Sequence, residues 1–181
     1  MSDGCDAEDA PGALADLTGY ELWDRTQRAG EQVAAAYKGM VGARSTSARV
    51  AMAPEFLRRV RQLLTLRLVA TAADRRRAFP PRVPPASYHG VAALWAEVFW
   101  AARAQSPDDD SGVLQATDVS IRGLLSLQPS DLADPEKVRA WWERLEMVEE
   151  TFDGLEMEAQ ATVEGLQAAV EYEQQTGGEA Y

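Results

Sequence analysis

Apolar positions in this chain recur at intervals of three and four, and no strand-length run alternates between apolar and polar. Leu22, Thr26, Ala29, Val33, Ala36 and Met40 follow a 4-3-4-3-4 rhythm, which predicts one face of a helix ending near Gly42. Its start is marked by Thr18 and Glu21 at capping-box spacing, and by Leu17 and Leu22 at staple spacing. Residues 42–47 read as a loop. A second helix is expected from near Pro54, a tolerated first-turn position, to about residue 78. Leu57, Val60, Leu63, Leu64, Leu66, Leu68 and Val69 make it apolar on most sides, as for a helix at the centre of a bundle. The proline-rich run 79–85 ends it.

A third helix is predicted over 87–105, with Val91, Leu94, Trp95, Val98, Phe99 and Ala102 at helical spacing and Trp100 on a second edge. After a hydrated break at 106–112, a short fourth helix is expected over 118–127, presenting Val119, Leu124, Leu125 and Leu127. The last element carries the clearest pattern. Asp134, Pro135 and Glu136 read as an N-cap, a proline at the first helical position and a first-turn acid. Trp141, Leu145, Val148, Phe152, Leu155, Ala159, Thr162, Leu166 and Ala169 then alternate at four and three, with Val163 and Val170 beside them. That stripe predicts a coiled-coil-like helix of about 40 residues, some 60 Å long. Gly154 and Gly165 are expected to mark a bend or a close contact.

The fold class that follows is all-α: a bundle of four or five helices with a long amphipathic C-terminal helix. The expected divisions are a disordered acidic tail at 1–15, a helical bundle over 16–130, the long helix over 131–176 and a tail at 177–181. With 181 residues and 46% apolar composition the chain can form a core without disulfides or metal. The longest apolar stretch, residues 63–73, is too short to span a bilayer and contains Arg67, so a soluble protein is expected, with no membrane partner.

Charge is distributed unevenly. The chain totals −11, yet residues 44–103 carry +8 against −5 before them and −14 after them. Arg58, Arg59, Arg61, Arg75, Arg76, Arg77 and Arg82 are the candidates for contact with an anion or acidic partner. Three accounts compete: pairing with the acidic C-terminal helix of the same chain, with an acidic surface of another subunit, or with phosphate. The acidic flanks argue against generic nucleic-acid binding.

Candidate chemistry is sparse. Cys5 and His89 are the sole cysteine and histidine, which excludes a Cys/His zinc site, a thiol redox pair and a two-histidine di-iron site within one chain. His89 beside Tyr88 reads as a surface or capping residue, and Cys5 as an incidental thiol in the tail. Counting from Asp108, glycine falls fifth rather than sixth, so 108–112 does not fit a calcium loop. Pro81 and Pro84 have polyproline-ligand spacing, which a stiff linker also explains. No phosphate loop, dinucleotide fingerprint or nucleophile elbow is present. No catalytic, cofactor-binding or metal-binding residue is assigned.

The expectation is a non-catalytic helical assembly, adaptor or structural subunit, acting by helix packing and charge complementarity on a protein partner or on its own copies. Trp141, Trp142, Leu145, Val148, Phe152, Leu155 and Leu166 are its interface candidates; adjacent tryptophans point about 100° apart, so one fills a seam while the other reaches a second surface. The alternative is a small accessory subunit of a nucleoprotein complex, placing its arginines on phosphates. Sixteen arginines to two lysines, one isoleucine and no asparagine suggest a GC-rich genome, which fits a cytoplasmic protein or a phage or virion component.

Overall fold

The computed structural model describes residues 19–78, 91–105 and 112–177 together with Leu14 and Leu17, without the side chain of Arg76. Among these residues the chain is all-α, as the periodicity predicts. The helices are α1 (Gly19–Gly42), α2 (Thr46–Ala78), α3 (Val91–Gln105), α4 (Val113–Ser126) and α5 (Pro135–Thr176), with a 3-10 turn at Pro129–Leu132 leading into α5. The expectations for Cys5, Thr18, Arg82, the 81–84 prolines, His89 and the 108–111 acidic run lie outside the described residues. Leu14 falls in the stretch composition assigned to a tail, but it is buried in the core.

On α1 the buried residues are Leu22, Thr26, Ala29, Val33 and Met40, the face that the rhythm defined. α2 packs against α1, α3 and α5 and is buried on several sides through Phe56, Val60, Leu63, Leu64, Leu66, Leu68 and Val69. It begins eight residues before Pro54, which corrects the expected start. Ser45 explains the earlier boundary: its hydroxyl accepts the Ala48 N–H at 3.1 Å and its carbonyl accepts the Arg49 N–H at 3.1 Å. A proline inside a helix costs about 3 kcal/mol. Packing of Ala53 and Phe56, both buried, and the tertiary bonds of Arg49 offset that loss.

Arg49 is the joint between three elements. It is buried, and its guanidinium donates to Met40 O at 3.1 Å, Ala43 O at 2.8 Å and Ala133 O at 2.7 Å. The first two carbonyls belong to the C-terminal turn of α1 and the residue beyond it, where helical carbonyls lack partners and the dipole favours a cation. α1 has no basic residue in its own last turn, so Arg49 supplies the charge from α2.

Side-chain pairs fix the helix directions. Arg49 meets Ala133, Arg67 meets Asp153, and Arg75 meets Glu158, so α2 and α5 run parallel. Thr117 meets Thr151 and Gly123 lies under Trp141, so α4 runs antiparallel to α5. α4 starts five residues before the expected 118, after Gly112 at φ 69°, and buries Leu114, Ile121 and Leu124. Val119, expected to face inward, is 57% exposed; the earlier start and Ile121 set the buried face instead.

The glycines give a contrast that can be measured. A Cβ at Gly123 would stand 2.6 Å from the Trp141 ring, whereas Gly154 and Gly165 face open space, so of the two roles expected of them, a bend or a close contact, neither marks a close contact. Gly165→Ala is therefore expected to stabilise α5 by about 0.5–1 kcal/mol. Gly123→Ala should instead destabilise by about 1–2 kcal/mol through overpacking. Chemical denaturation of the two variants checks this, and the same sign for both would contradict it.

Candidate protein-interaction site

α5 is one continuous helix whose apolar seam is treated differently along its length. Asp134 caps it by accepting the Glu136 N–H at 2.9 Å. Val138, Leu145, Val148, Phe152, Leu155 and Ala159 are buried against the rest of the chain. Beyond them Leu166 is 54% exposed and Val170 52%, and every residue from Glu164 to Gly177 is exposed. Eighteen residues make five turns of an α-helix. Trp141, Leu145, Val148 and Phe152 are therefore matched, on the same line of the helix, by Ala159, Val163, Leu166 and Val170. The seam continues with mostly smaller apolar residues, and with Glu173 in the place of Leu155, while its cover among the described residues stops.

The interface candidates divide accordingly. Leu145, Val148, Phe152 and Leu155 are inside this chain's own core, and Trp141 and Trp142 are partly buried against it. The Trp142 ring stacks on Tyr37 with centroids 4.3 Å apart, and its Nε1 donates to Glu146 at 2.9 Å. Trp141 lies over Gly123 with the Arg144 guanidinium 4.4 Å from its ring centroid. Both tryptophans thus join helices within the chain, the second-surface role not being needed to account for either. Trp95 is also internal, donating to the buried Asp118 at 2.8 Å, while Trp100 is exposed. Leu166 alone of the named candidates is exposed.

Five arginines on α2, Arg58, Arg59, Arg67, Arg75 and Arg77, meet acids. Arg75 is buried and faces Glu158 at 3.4 Å, Arg58 and Arg59 hold Glu55 at 2.9 and 2.8 Å, and Arg77 pairs with Asp74. Arg61 is exposed and reaches Leu125 O at 3.5 Å. Glu55 is held down to about 2, chiefly by its hydrogen bond from Arg58. The residue that sequence reasoning passed over is Arg67. It donates to Asp153 at 2.5 Å and to Glu149 O at 3.2 Å, lies 3.6 Å from Glu156 and sits 5.8 Å from the Phe152 centroid. Its signal was present, since it is the one charge in the apolar run 63–73.

Burial against α2 pushes the Glu149 and Glu156 carboxyls up, with Arg67 opposing the rise in both; Thr71 also donates to Glu156 at 3.1 Å. A raised carboxyl binds more protons in the folded than in the unfolded state just above its ordinary value of 4.5. Its stabilising contribution is therefore present at low pH and lost as pH rises through the folded value. The parent should gain stability relative to the E149Q/E156Q variant as pH falls from about 7 to about 5. Thermal midpoints across that range check the sign, and a relative loss would contradict it.

A cavity of about 610 Å³ lies between α1, α2 and α5, lined in part by Trp23, Arg67, Asp74, Arg77, Asp153 and Glu156. Each charged group among those six is held in an ion pair within the lining. Among the described residues no group of three or more His, Cys, Asp or Glu is arranged to hold a metal ion. No described helix is long and apolar enough to cross a membrane. Among the described residues these features define an all-α helical bundle whose last helix continues, with Leu166 and Val170 exposed, past the part that the other described helices cover. No protein family, curated protein or solved structure matches the chain.

Proposed function

We propose that this chain is a non-catalytic assembly or adaptor subunit that uses residues 160–176 of α5 as a docking helix. The observation carrying this reading is the seam itself. Five turns beyond Leu145, Val148 and Phe152, the same line of the helix carries Val163, Leu166 and Val170. These three keep the apolar character of their counterparts although nothing in the described chain buries the last two. Apolar residues on one line of an exposed helix are the anchors used when a helix is laid against another protein. The segment is about 25 Å long, enough for a small interface of the transient kind.

The test is the chain's size in extracts of cells that make it naturally. The unchanged chain should elute by gel filtration within a larger complex. L166E/V170E should elute as a free 19.8 kDa chain while keeping its thermal midpoint when purified. Retention of the variant in a complex of unchanged size would overturn the proposal.

A further inference from the structure

We infer that the occupant of the exposed seam is a helix from a different protein, with an apolar row flanked by arginine or lysine, rather than a second copy of this chain. The inference rests on the docking role of residues 160–176 and adds the partner's chemistry. The covered half of α5 shows what this surface accepts. There α2 packs along α5 and carries Arg67 and Arg75 to Asp153, Glu156 and Glu158.

The exposed half presents a narrower apolar line and keeps part of the acidic pattern, with Gln174 and Thr176 standing where Glu156 and Glu158 would recur. Asp153 and Glu171 are eighteen residues apart, hence on one side of the helix, and Glu146 and Glu164 repeat that spacing. Glu173 adds a third acid beside Leu166. After Arg144 the chain contains ten acids and no lysine or arginine. Two copies pairing through residues 160–176 would bring six carboxylates together with no cation from either segment, which opposes self-association. A helix resembling the arginine-bearing part of α2 satisfies both the apolar line and the acids.

The experiment uses the full chain and three designed helical peptides with one common leucine row, flanked by arginine, glutamine or glutamate. Binding is read by fluorescence anisotropy, and the oligomeric state by sedimentation equilibrium. The chain should be monomeric and should bind the arginine peptide about 10-fold or more tightly than the glutamine peptide, with the advantage shrinking as salt rises. L166E/V170E should weaken binding of the arginine peptide by about 30-fold. E164Q/E171Q should remove the preference for arginine over glutamine while leaving the fold intact. Equal binding of all three peptides through Leu166 and Val170 would overturn the basic-partner inference and leave the docking role standing. A stable dimer abolished by L166E/V170E would do the same. Absence of binding by every peptide, with a monomeric chain, would count against both.

Discussion

Phe152→Ala is expected to destabilise the protein by about 4 kcal/mol, while Val170→Ala, five turns further along the same line of α5, should change stability by less than about 0.5 kcal/mol. Phe152 is fully buried, packs edge-on against Trp95 with centroids 6.1 Å apart and lies beneath the Arg67 guanidinium. Truncating it removes a large side chain from a close-packed site and leaves a cavity. Val170 is 52% exposed, so its methyls leave water and return to water alike. Urea denaturation of the two variants measures the difference. Comparable losses at both positions would mean that the end of α5 is part of the core.

Arg49→Ala should cost about 3 kcal/mol, lowering the thermal midpoint by roughly 10 °C for a chain of this size. The substitution removes three hydrogen bonds made by a charged donor, at 2.7–3.1 Å, and leaves the carbonyls of Met40, Ala43 and Ala133 to find other partners in a partly enclosed joint. Arg49→Lys should recover only part of the loss, because one ammonium cannot reproduce the planar fork that reaches two elements at once. A cost below about 1 kcal/mol for alanine would show that the joint is held by packing alone.

Much of this fold is legible in the sequence because helical periodicity reports burial directly. The face of α1 from Leu22 to Met40 and the limits of α5, set by Asp134 and Gly177, emerge from spacing and caps. Helix starts inside a chain are harder to read. Pro54 is a sound helix beginning by local preference, but Ser45 and the tertiary bonds of Arg49 carry α2 two turns further back. The early start of α4 similarly follows Gly112, whose positive φ gives no signal in a polar run.

The candidate site was legible as a pattern and not as a location. Periodicity predicted the stripe from Trp141 to Ala169 as one surface, since an apolar line has the same appearance whether its cover comes from within the chain or from outside. What divides it is the length of α2, whose last ion pair with α5 among the described side chains is Arg75 with Glu158. The arginine pattern shows the same limit. Charge totals suggested an acidic counterpart for the basic middle, but only the parallel alignment of α2 and α5 assigns Arg67 and Arg75 to Asp153, Glu156 and Glu158.

The division of α5 into a covered and an exposed half is tested most directly by amide hydrogen exchange along the isolated chain. Residues 138–159 should exchange only through global unfolding, whereas residues 161–176, lacking tertiary cover, should exchange within about 100-fold of an unprotected peptide. The boundary should fall within a turn of Ala159, the last fully buried residue of the helix. Uniform protection through Thr176 in a monomer would contradict the account.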